Sequence, residues 1–256
     1  MWAWVCNYGK GTSVQGLAPV VRVMAAAPDD DAYVFIFDIE TTGLSFYKHD
    51  ITVVCGLKQS IAVREAYTEL SMNLLATRDD AVAHLAQCVE LCKTLDEARF
   101  ISAYNGRRFD LPFVASWAQA QGVPADVAAW EAKTIDLYQL ILAHVGVHYK
   151  LQRVCEANNL PVEKSATGLD AVRWAQSGEW ALLLAYCMQD VHVLRAVLHH
   201  SVDSGLCIPV KRSVNSAFPG STYVLRLRDD YTRVDVQPLV ADDSPQPDDV
   251  GLLDLL

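Results

Sequence analysis

Residues 32–38, which read AYVFIFD, constrain the fold of this chain more than any other segment. The segment is a short apolar run rich in aromatic and β-branched residues, which is typical of a central strand buried on both faces. It ends in the carboxylate of Asp38, and Glu40 follows two residues later. Because residues i and i+2 of an extended chain point to the same face, we expect both carboxylates side by side at the end of this strand.

Two neighbouring carboxylates in an apolar setting are costly, because each resists the loss of its water and each repels the other. A divalent cation relieves both costs, and Mg²⁺ and Mn²⁺ take oxygen ligands. A strand end capped by two solvated acids explains the same two residues equally well. The pair alone therefore leaves a metal site and a solvated strand end as equal alternatives.

The pattern of apolar residues predicts an α/β fold in which a mixed β-sheet is flanked by helices. The first three strands are expected to form an antiparallel meander, at residues 32–38, 51–57 and 61–67. Helices and short strands then alternate before a long helical region, with boundaries at residues 78–95, 100–104, 111–121, 134–137, 137–145 and 151–200. Residues 222–228 and 234–236 alternate on either side of a turn signal and predict a C-terminal β-hairpin.

Two further clusters place acids at the end of an element or on a helix face. In residues 104–110 (YNGRRFD), Asn105 ends a strand and Asp110 opens a helix, where helix capping alone would explain the acid. Tyr186 and Asp190 are four residues apart in a helix and share one face. An Asp beside an apolar helix face is costly unless it is paired or bound to metal, whereas Tyr186 alone is explained as a half-buried aromatic. Asp136, another acid at a strand end, is interpreted as structural.

The net charge of −10 is unfavourable for a general binder of polyanions, because phosphate contacts need Lys and Arg. Most of the negative charge is local. Residues 229–256 contain eight Asp and one Arg, a net −7, which leaves −3 for the remaining 228 residues. Residues 204–228 contain no acid and could contact phosphate or form a solvated surface, with basic residues Lys211, Arg212, Arg226 and Arg228. The charge therefore does not exclude a nucleic acid partner.

The cysteines and the apolar segments indicate a compartment. The chain has seven cysteines and no Cys-x-x-Cys, which argues against a disulfide framework or a zinc knuckle and favours a reducing compartment. No signal peptide is predicted, because the N-terminus has no basic region and Arg22 interrupts the apolar segment that follows. No uninterrupted apolar run reaches about 18 residues, which argues against a membrane partner. A cytoplasmic or nuclear location is expected.

Taken together, the three acidic clusters resemble the motifs of the DEDD superfamily of proofreading-like 3′→5′ exonucleases, which have an RNase H-like fold. Asp38 and Glu40 match the Asp-x-Glu motif, and the segment from Asn105 to Asp110 matches the second motif. The third motif divides the superfamily into a tyrosine (DEDDy) branch and a histidine branch. Tyr186 stands four residues before Asp190, and Ala185 stands where the histidine would be, so this chain resembles the tyrosine branch.

A narrower resemblance is carried by residues 164–174, Gly178 and residues 186–191. These segments are similar to predicted exonucleases related to the exonuclease domain of family B polymerases. The resemblance covers roughly residues 32–200. It is specific for the fold and for metal-dependent nuclease chemistry, and it leaves DNA and RNA open as substrates.

The resemblance implies an enzyme that removes nucleoside monophosphates from the 3′ end of DNA or RNA, with single strands more readily bound than duplexes. Two Mg²⁺ or Mn²⁺ ions, about 3.5–4 Å apart, would be held by four ligands, Asp38, Glu40, Asp110 and Asp190. Tyr186 would orient the attacking water, because a tyrosine with a pKa near 10 is a poor base at neutral pH. Contacts to the terminal nucleotide are expected from Thr41, Thr42, Leu44, Asn105 and Phe109.

Four segments are expected: an N-terminal extension (1–31), the exonuclease domain (32–204), a basic segment with the β-hairpin (205–238) and an acidic flexible tail (239–256). The apolar cluster at residues 251–256 could dock on a protein partner, although such tails are more often only solubilising. Two alternative functions remain on the same fold. One is a structure-specific endonuclease, and the other is a non-catalytic nucleic-acid-binding adaptor, which the presence of all four carboxylates disfavours.

Overall fold

The computed structural model describes residues 22–23, 32–161, 166–210 and 222–239. Several predictions lie outside the described residues: those on most of the N-terminal extension, on Lys164 and Ser165, on Lys211 and Arg212, and on the acidic tail from residue 240 onward.

The described elements follow one another along the chain in the order β1 (Arg22–Val23), β2 (Tyr33–Thr41), β3 (Ile51–Ser60), β4 (Tyr67–Asn73), α1 (Ala81–Glu97), β5 (Phe100–Ala103), α2 (Asp110–Ala120), α3 (Val127–Ala132), β6 (Thr134–Asp136), α4 (Leu137–Val145), α5 (Leu151–Ala157), α6 (Gly168–Ser177), α7 (Trp180–Asp203), β7 (Leu206–Pro209), β8 (Thr222–Leu227) and β9 (Val234–Leu239).

Six strands form one mixed sheet in the order β1-β4-β3-β2-β5-β6. The strands β2, β3 and β4 form an antiparallel meander, and β5 and β6 continue the sheet in parallel with β2. The remaining strands form a second sheet in the order β7-β8-β9, in which β8 and β9 make the predicted C-terminal hairpin. The predicted α/β fold, with a mixed sheet flanked by helices, is confirmed.

The central strand β2 is buried on both faces, as its apolar sequence predicts. Val34 and Ile36 belong to the hydrophobic cluster that includes α7, whereas Phe35 and Phe37 belong to the cluster that includes α1 and α2. The rings of Phe35 and Phe37 stack with centroids 5.3 Å apart. Since side chains alternate along a strand, Asp38 and Glu40 continue the face that α7 covers.

Helix α7 spans 24 residues and packs one face against β3 and β2. Among the described residues it is the one helix that is long and apolar enough to cross a membrane, judged by length and composition alone. Core helices of soluble proteins pass the same test. The expectation that no membrane is involved therefore stays a prediction.

The third strand of the meander lies at Tyr67–Asn73, so the prediction of a strand at residues 61–67 was wrong. Strand β3 continues to Ser60, and the chain then reverses through a turn closed by the Ser60 N–H, which donates to the Ala66 carbonyl at 2.9 Å. The Ser60 hydroxyl also accepts a hydrogen bond from the Val63 N–H. The apolar residues of this segment therefore belong to a turn. The helix α3 and the strand β7 are not predicted either, because six and four residues are too few for a clear periodic pattern.

Replacing Gly56 of β3 with alanine should destabilise the fold by about 1–3 kcal/mol, because overpacking forces the core apart. A Cβ atom at this position would lie 2.5 Å from the Phe35 ring and 3.2 Å from the Ile36 carbonyl oxygen. Gly168→Ala is the matched control, because no atom lies within 4 Å of a Cβ there. Urea unfolding measures both variants, and equal stability of the two would contradict the tight packing of β2 against β3.

Candidate functional site

Three carboxylates meet where α7 crosses the end of β2. Asp38 and Glu40 belong to β2, and Asp190 lies near the middle of α7. One carboxylate oxygen from each of the three residues lies within 4.8 Å of the other two. In the described part of the chain, these side chains form a group that could share a metal ion. The predicted first and third clusters are therefore brought together by the packing of α7 on the sheet.

The fourth acid, Asp110, is the first residue of α2 and is only 3 % exposed. Helix capping does not account for it, because Phe109 occupies the N-cap position. Its charge contributes to the raised pKa values of Asp38 and Glu40, and it stands outside the three residues whose carboxylate oxygens lie within 4.8 Å of one another. Its Oδ1 atom has no hydrogen-bond partner within the described residues. A buried oxygen of this kind is costly to leave unpaired, so it is a candidate ligand atom for a cation.

The acids raise one another's pKa values. Burial raises the pKa of Asp38 well above its ordinary range, and the charges of Asp110, Glu40 and Asp190 raise it further. Burial also raises the pKa of Glu40 to about 8, again with contributions from Asp190 and Asp110. The pKa of Asp110 rises to about 7, chiefly through burial. Because like charges resist joint ionisation in a desolvated site, the acids need protons or a cation beside them near neutral pH.

The loop between β5 and α2 is held by the buried carboxylate of Asp136, at the end of β6. Its Oδ1 accepts the Asn105 N–H at 2.9 Å and its Oδ2 accepts the Arg107 N–H at 3.1 Å. The same carboxylate caps α4 by accepting the Gln139 N–H. Asn105 has a φ of 69°, in the left-handed region that asparagine tolerates better than most residues. Asp136 is thus structural, as interpreted from the sequence, and it fixes the turn that leads into Asp110.

Tyr186 lies one helical turn before Asp190 on α7. Its ring meets the Trp174 ring of α6 edge to face, with centroids 6.0 Å apart. Burial first, and then the charges of Asp190, Glu40 and Asp38, raise the pKa of Tyr186 above its ordinary value. The phenol is therefore protonated at neutral pH, so it can donate a hydrogen bond but cannot act as a base. Its predicted orienting role stays a prediction.

Cys187 is a neighbour of the site to which the sequence assigned no role. Its Sγ atom donates to the Asp38 carbonyl oxygen at 3.4 Å and lies 4.0 Å from Asp38 Oδ2. Trp174 is the second such residue, through its contact with Tyr186. Both stand in the segments that carry the narrower family resemblance. Their contacts with the site join α6 and α7 to each other and to β2, and such tertiary contacts cannot be seen in the sequence.

Thr41, Thr42 and Leu44 occupy the end of β2 and the loop that follows. The Thr41 hydroxyl donates to the Gly43 carbonyl at 2.7 Å, and the Thr42 hydroxyl accepts the Asp50 N–H at 3.0 Å. Leu44 is 86 % exposed. The two hydroxyls therefore hold the loop together, and Leu44 alone of these three presents a fully available side chain.

Asn105 and Phe109 lie on the loop between β5 and α2, at the same end of the sheet. The Asn105 side-chain oxygen accepts a hydrogen bond from the Gln139 side chain at 3.0 Å. The Phe109 ring packs beside the Phe113 ring, with centroids 4.9 Å apart. Contacts of these residues with a terminal nucleotide stay predictions, as do those of Thr41, Thr42 and Leu44.

The donor set fits a hard divalent cation. All the ligand atoms that meet are carboxylate oxygens, which Mg²⁺ and Mn²⁺ prefer, and the buried Asp110 Oδ1 has no hydrogen-bond partner among the described residues. The acids raise one another's pKa values, and a bound cation would relieve this repulsion between their charges.

A protein-family model of the RNase H superfamily matches residues 35–202, which is more than half of the chain. This chain belongs to the RNase H superfamily. The matched region of this RNase H superfamily member runs from β2 to the end of α7 and contains all four acids. The RNase H-like fold expected from the sequence motifs is therefore confirmed.

Two solved structures illustrate the likeness. E. coli exonuclease I in complex with a dA16 oligonucleotide is similar with a TM-score of 0.43 and 13 % identity, over 65 % of this chain and 40 % of that one. The family B DNA polymerase of Pyrobaculum calidifontis is similar with a TM-score of 0.45 and 14 % identity, over 72 % of this chain and 29 % of that one. This chain thus spans less than half the length of either protein. No curated protein sequence matches it significantly.

The melting temperature of the metal-free protein should fall as the pH rises from about 5 to about 9, since the folded state holds protons that the unfolded chain has lost. The pKa of Glu40 rises from 4.5 to about 8 on folding, so its stabilising contribution is complete below 4.5 and is lost as the pH passes through 8. Excess Mg²⁺ or Mn²⁺ should raise the melting temperature, and more so at high pH, because the cation needs ionised ligands.

Thermal unfolding in EDTA and in excess cation, followed across this pH range, checks both expectations. The Glu40→Gln variant is the control, and it should show a smaller dependence on pH and on the cation. A melting temperature that no divalent cation changes at any pH would contradict the metal assignment.

Proposed function

We propose that this RNase H superfamily member is a metal-dependent 3′→5′ exonuclease that releases nucleoside monophosphates from single-stranded DNA or RNA. The observation that carries the proposal is the convergence of Asp38, Glu40 and Asp190 within 4.8 Å. The superfamily supports phosphodiester hydrolysis as the reaction class. The direction of cleavage follows from the resemblance of the three motifs to the DEDD exonucleases.

Asp38, Glu40, Asp110 and Asp190 would hold two Mg²⁺ or Mn²⁺ ions. Such ions, when bound, lower the pKa of a water molecule and neutralise charge on the reacting phosphodiester. The protein's part is to place the acids before the substrate arrives. Strand β2 fixes Asp38 and Glu40 on a rigid core, α7 carries Asp190, and Asp136 fixes the turn that presents Asp110.

Tyr186 supplies a hydroxyl at the edge of the acids. Its contact with the Trp174 ring restricts its position. Since its pKa is raised, the hydroxyl keeps its proton and orients the attacking water by hydrogen bonding. Leu44, which is exposed beyond the end of β2, would contact the terminal nucleotide.

A nucleic acid strand with a free 3′ end is the proposed partner, in a cytoplasmic or nuclear location. A protein partner at the acidic tail (239–256) stays a separate proposal, and the tail from residue 240 onward lies outside the described residues.

Glu40→Gln should reduce nuclease activity at least about a hundredfold, because it removes one charged ligand atom at the proposed metal site. The measurement is the shortening of 5′-labelled single-stranded DNA and RNA with Mg²⁺ or Mn²⁺ and with a chelator. Glu131→Gln, an exposed acid of α3, is the matched control and should keep full activity. Full activity in Glu40→Gln would contradict the site.

The size distribution of the products tests the two alternatives. Stepwise loss of one nucleotide from the 3′ end supports an exonuclease, whereas an internal cut as the first product would identify an endonuclease. Binding of the strands with no cleavage in any divalent cation would identify a non-catalytic adaptor.

Tyr186→Phe should lower the rate about 10- to 100-fold, because a hydrogen bond to a charged group contributes about 1.5–3 kcal/mol. Cation binding, followed by the rise in melting temperature, should change little. Tyr33→Phe is the matched control, since it removes a hydroxyl that donates to the Thr94 carbonyl at the opposite end of β2. A Tyr186→Phe enzyme as fast as wild type would exclude the orienting role.

A further inference from the structure

A cavity of about 520 Å³ lies beside the loop that follows β2. Its walls come from residues 46–50 of that loop, from Ile51 of β3, from the segment after β4, from His84 of α1 and from α2. This volume falls within the range of about 300–1,000 Å³ typical of small-molecule sites. None of the four acids and none of the five expected nucleotide contacts lines it. It is therefore a feature separate from the carboxylate site.

Aromatic side chains form much of the cavity wall. Tyr47 is 84 % exposed, and its ring rests on the Phe46 ring, with centroids 4.1 Å apart. Phe46 in turn packs edge to face on Phe113 of α2. The Trp117 indole N–H donates to His84 at 2.8 Å, which fixes a third aromatic ring in the wall. An exposed aromatic ring supported from behind by another ring is the kind of surface on which a nucleobase stacks.

The charges around the cavity suit a polyanion. Lys48 and Arg78 line it, and the one carboxylate among the lining residues is Asp50. Arg78 lies 3.2 Å from that carboxylate and compensates its charge. The Lys48 ammonium makes no ion pair with any described residue. A free cation beside exposed aromatic rings complements a phosphodiester strand, and it stands out in a chain of net charge −10.

The wall of the cavity is already formed by hydrogen bonds within the loop. His49 Nδ1 accepts the Ser45 N–H at 3.1 Å, and its ring lies so close to Gly43 that a Cβ atom there would be 2.5 Å away. The Ser116 hydroxyl ties the loop to α2 by donating to the Phe46 carbonyl. The cavity is thus fixed to the scaffold before any ligand arrives, which lowers the entropic cost of binding.

The same loop connects the cavity to the carboxylate site. Thr41, which follows Glu40 directly, pairs with Ile51, and Ile51 lines the cavity. The cavity and the acids therefore lie at the same end of the sheet on its two faces, and the exposed Leu44 stands on the loop between them. A single strand whose 3′ end reaches the acids would have to pass over this loop to enter the cavity.

We propose that the cavity binds an internal nucleotide of the substrate strand, upstream of the 3′ end. Tyr47 stacks on the base, and Lys48 contacts a phosphate. The proposal rests on the proposed function for the identity of the strand, but its contacts do not involve the four acids. The loop after β2 would then make the protein bind longer oligonucleotides more tightly, and this role is distinct from hydrolysis.

Binding of 5′-fluorescein-labelled oligonucleotides, followed by anisotropy in EDTA, tests the proposal without hydrolysis. Oligo(dT) and oligo(U) from about 2 to about 16 nucleotides cover the site sizes of single-strand binders. The affinity of the wild-type chain should rise with length to a plateau. Tyr47→Ala should lower the plateau affinity about tenfold, the scale of one stacked base, and leave the shortest oligonucleotides unaffected.

Two matched controls separate the cavity from general surface effects. Leu169→Ala is the control for Tyr47→Ala, because it removes a highly exposed apolar side chain away from the cavity. Lys93→Ala is the control for Lys48→Ala, because it removes an exposed lysine of α1. Neither control should change the affinity. Lys48→Ala should weaken binding of long strands and reduce the slope of the affinity against salt concentration by about one.

The outcomes distinguish this inference from the proposed function. Variants at Tyr47 and Lys48 that bind every length as tightly as wild type would overturn the cavity proposal, and so would a wild-type chain that binds no oligonucleotide. If Tyr47-dependent binding is found but no strand is shortened in any divalent cation, the nuclease proposal fails and the cavity stands as a single-strand binding site.

Discussion

Four acids cannot be gathered in a partly desolvated site and ionised together without a compensating charge, and the architecture of this chain is arranged around that constraint. Three separate elements each supply part of the group, and the buried sheet keeps the acids from moving apart. The cost appears as raised pKa values at Asp38, Glu40 and Asp110. An arrangement that is unfavourable by itself becomes favourable once a cation is held, which is a common design of functional sites.

The sequence predicted those parts of the molecule that are decided locally. The apolar run ending in Asp38 predicts a buried strand whichever elements surround it, and the structure confirms it. The strand expected at 61–67 was wrong. Ile61 and Val63 are apolar and therefore favoured a strand, but the hydrogen bonds of Ser60 fold this segment into a turn. Composition cannot reveal such a competition between a strand and a turn.

The candidate site could be predicted only through the family motifs, because its residues come from segments that are distant in the sequence. The meeting of Asp190 with β2 depends on the packing of α7, and only the family resemblance anticipated it. The bonds from Asp136 to Asn105 and Arg107, and the contact of Cys187 with Asp38, are tertiary and left no local pattern. The sequence also suggested a ligand contact for the Thr41 hydroxyl, but in the structure this hydroxyl donates a hydrogen bond to the Gly43 carbonyl within the loop.

The alternation along β2 has a consequence for how such a chain can change. One face of the strand carries the stacked rings of Phe35 and Phe37, and the other carries the acids. A side chain can be exchanged at one position while its neighbours keep their partners. Adding or removing a single residue would instead turn the acids towards the aromatic cluster and the rings towards α7. The length of this strand is therefore under a stricter constraint than its composition, and insertions can accumulate only in the loops beyond it.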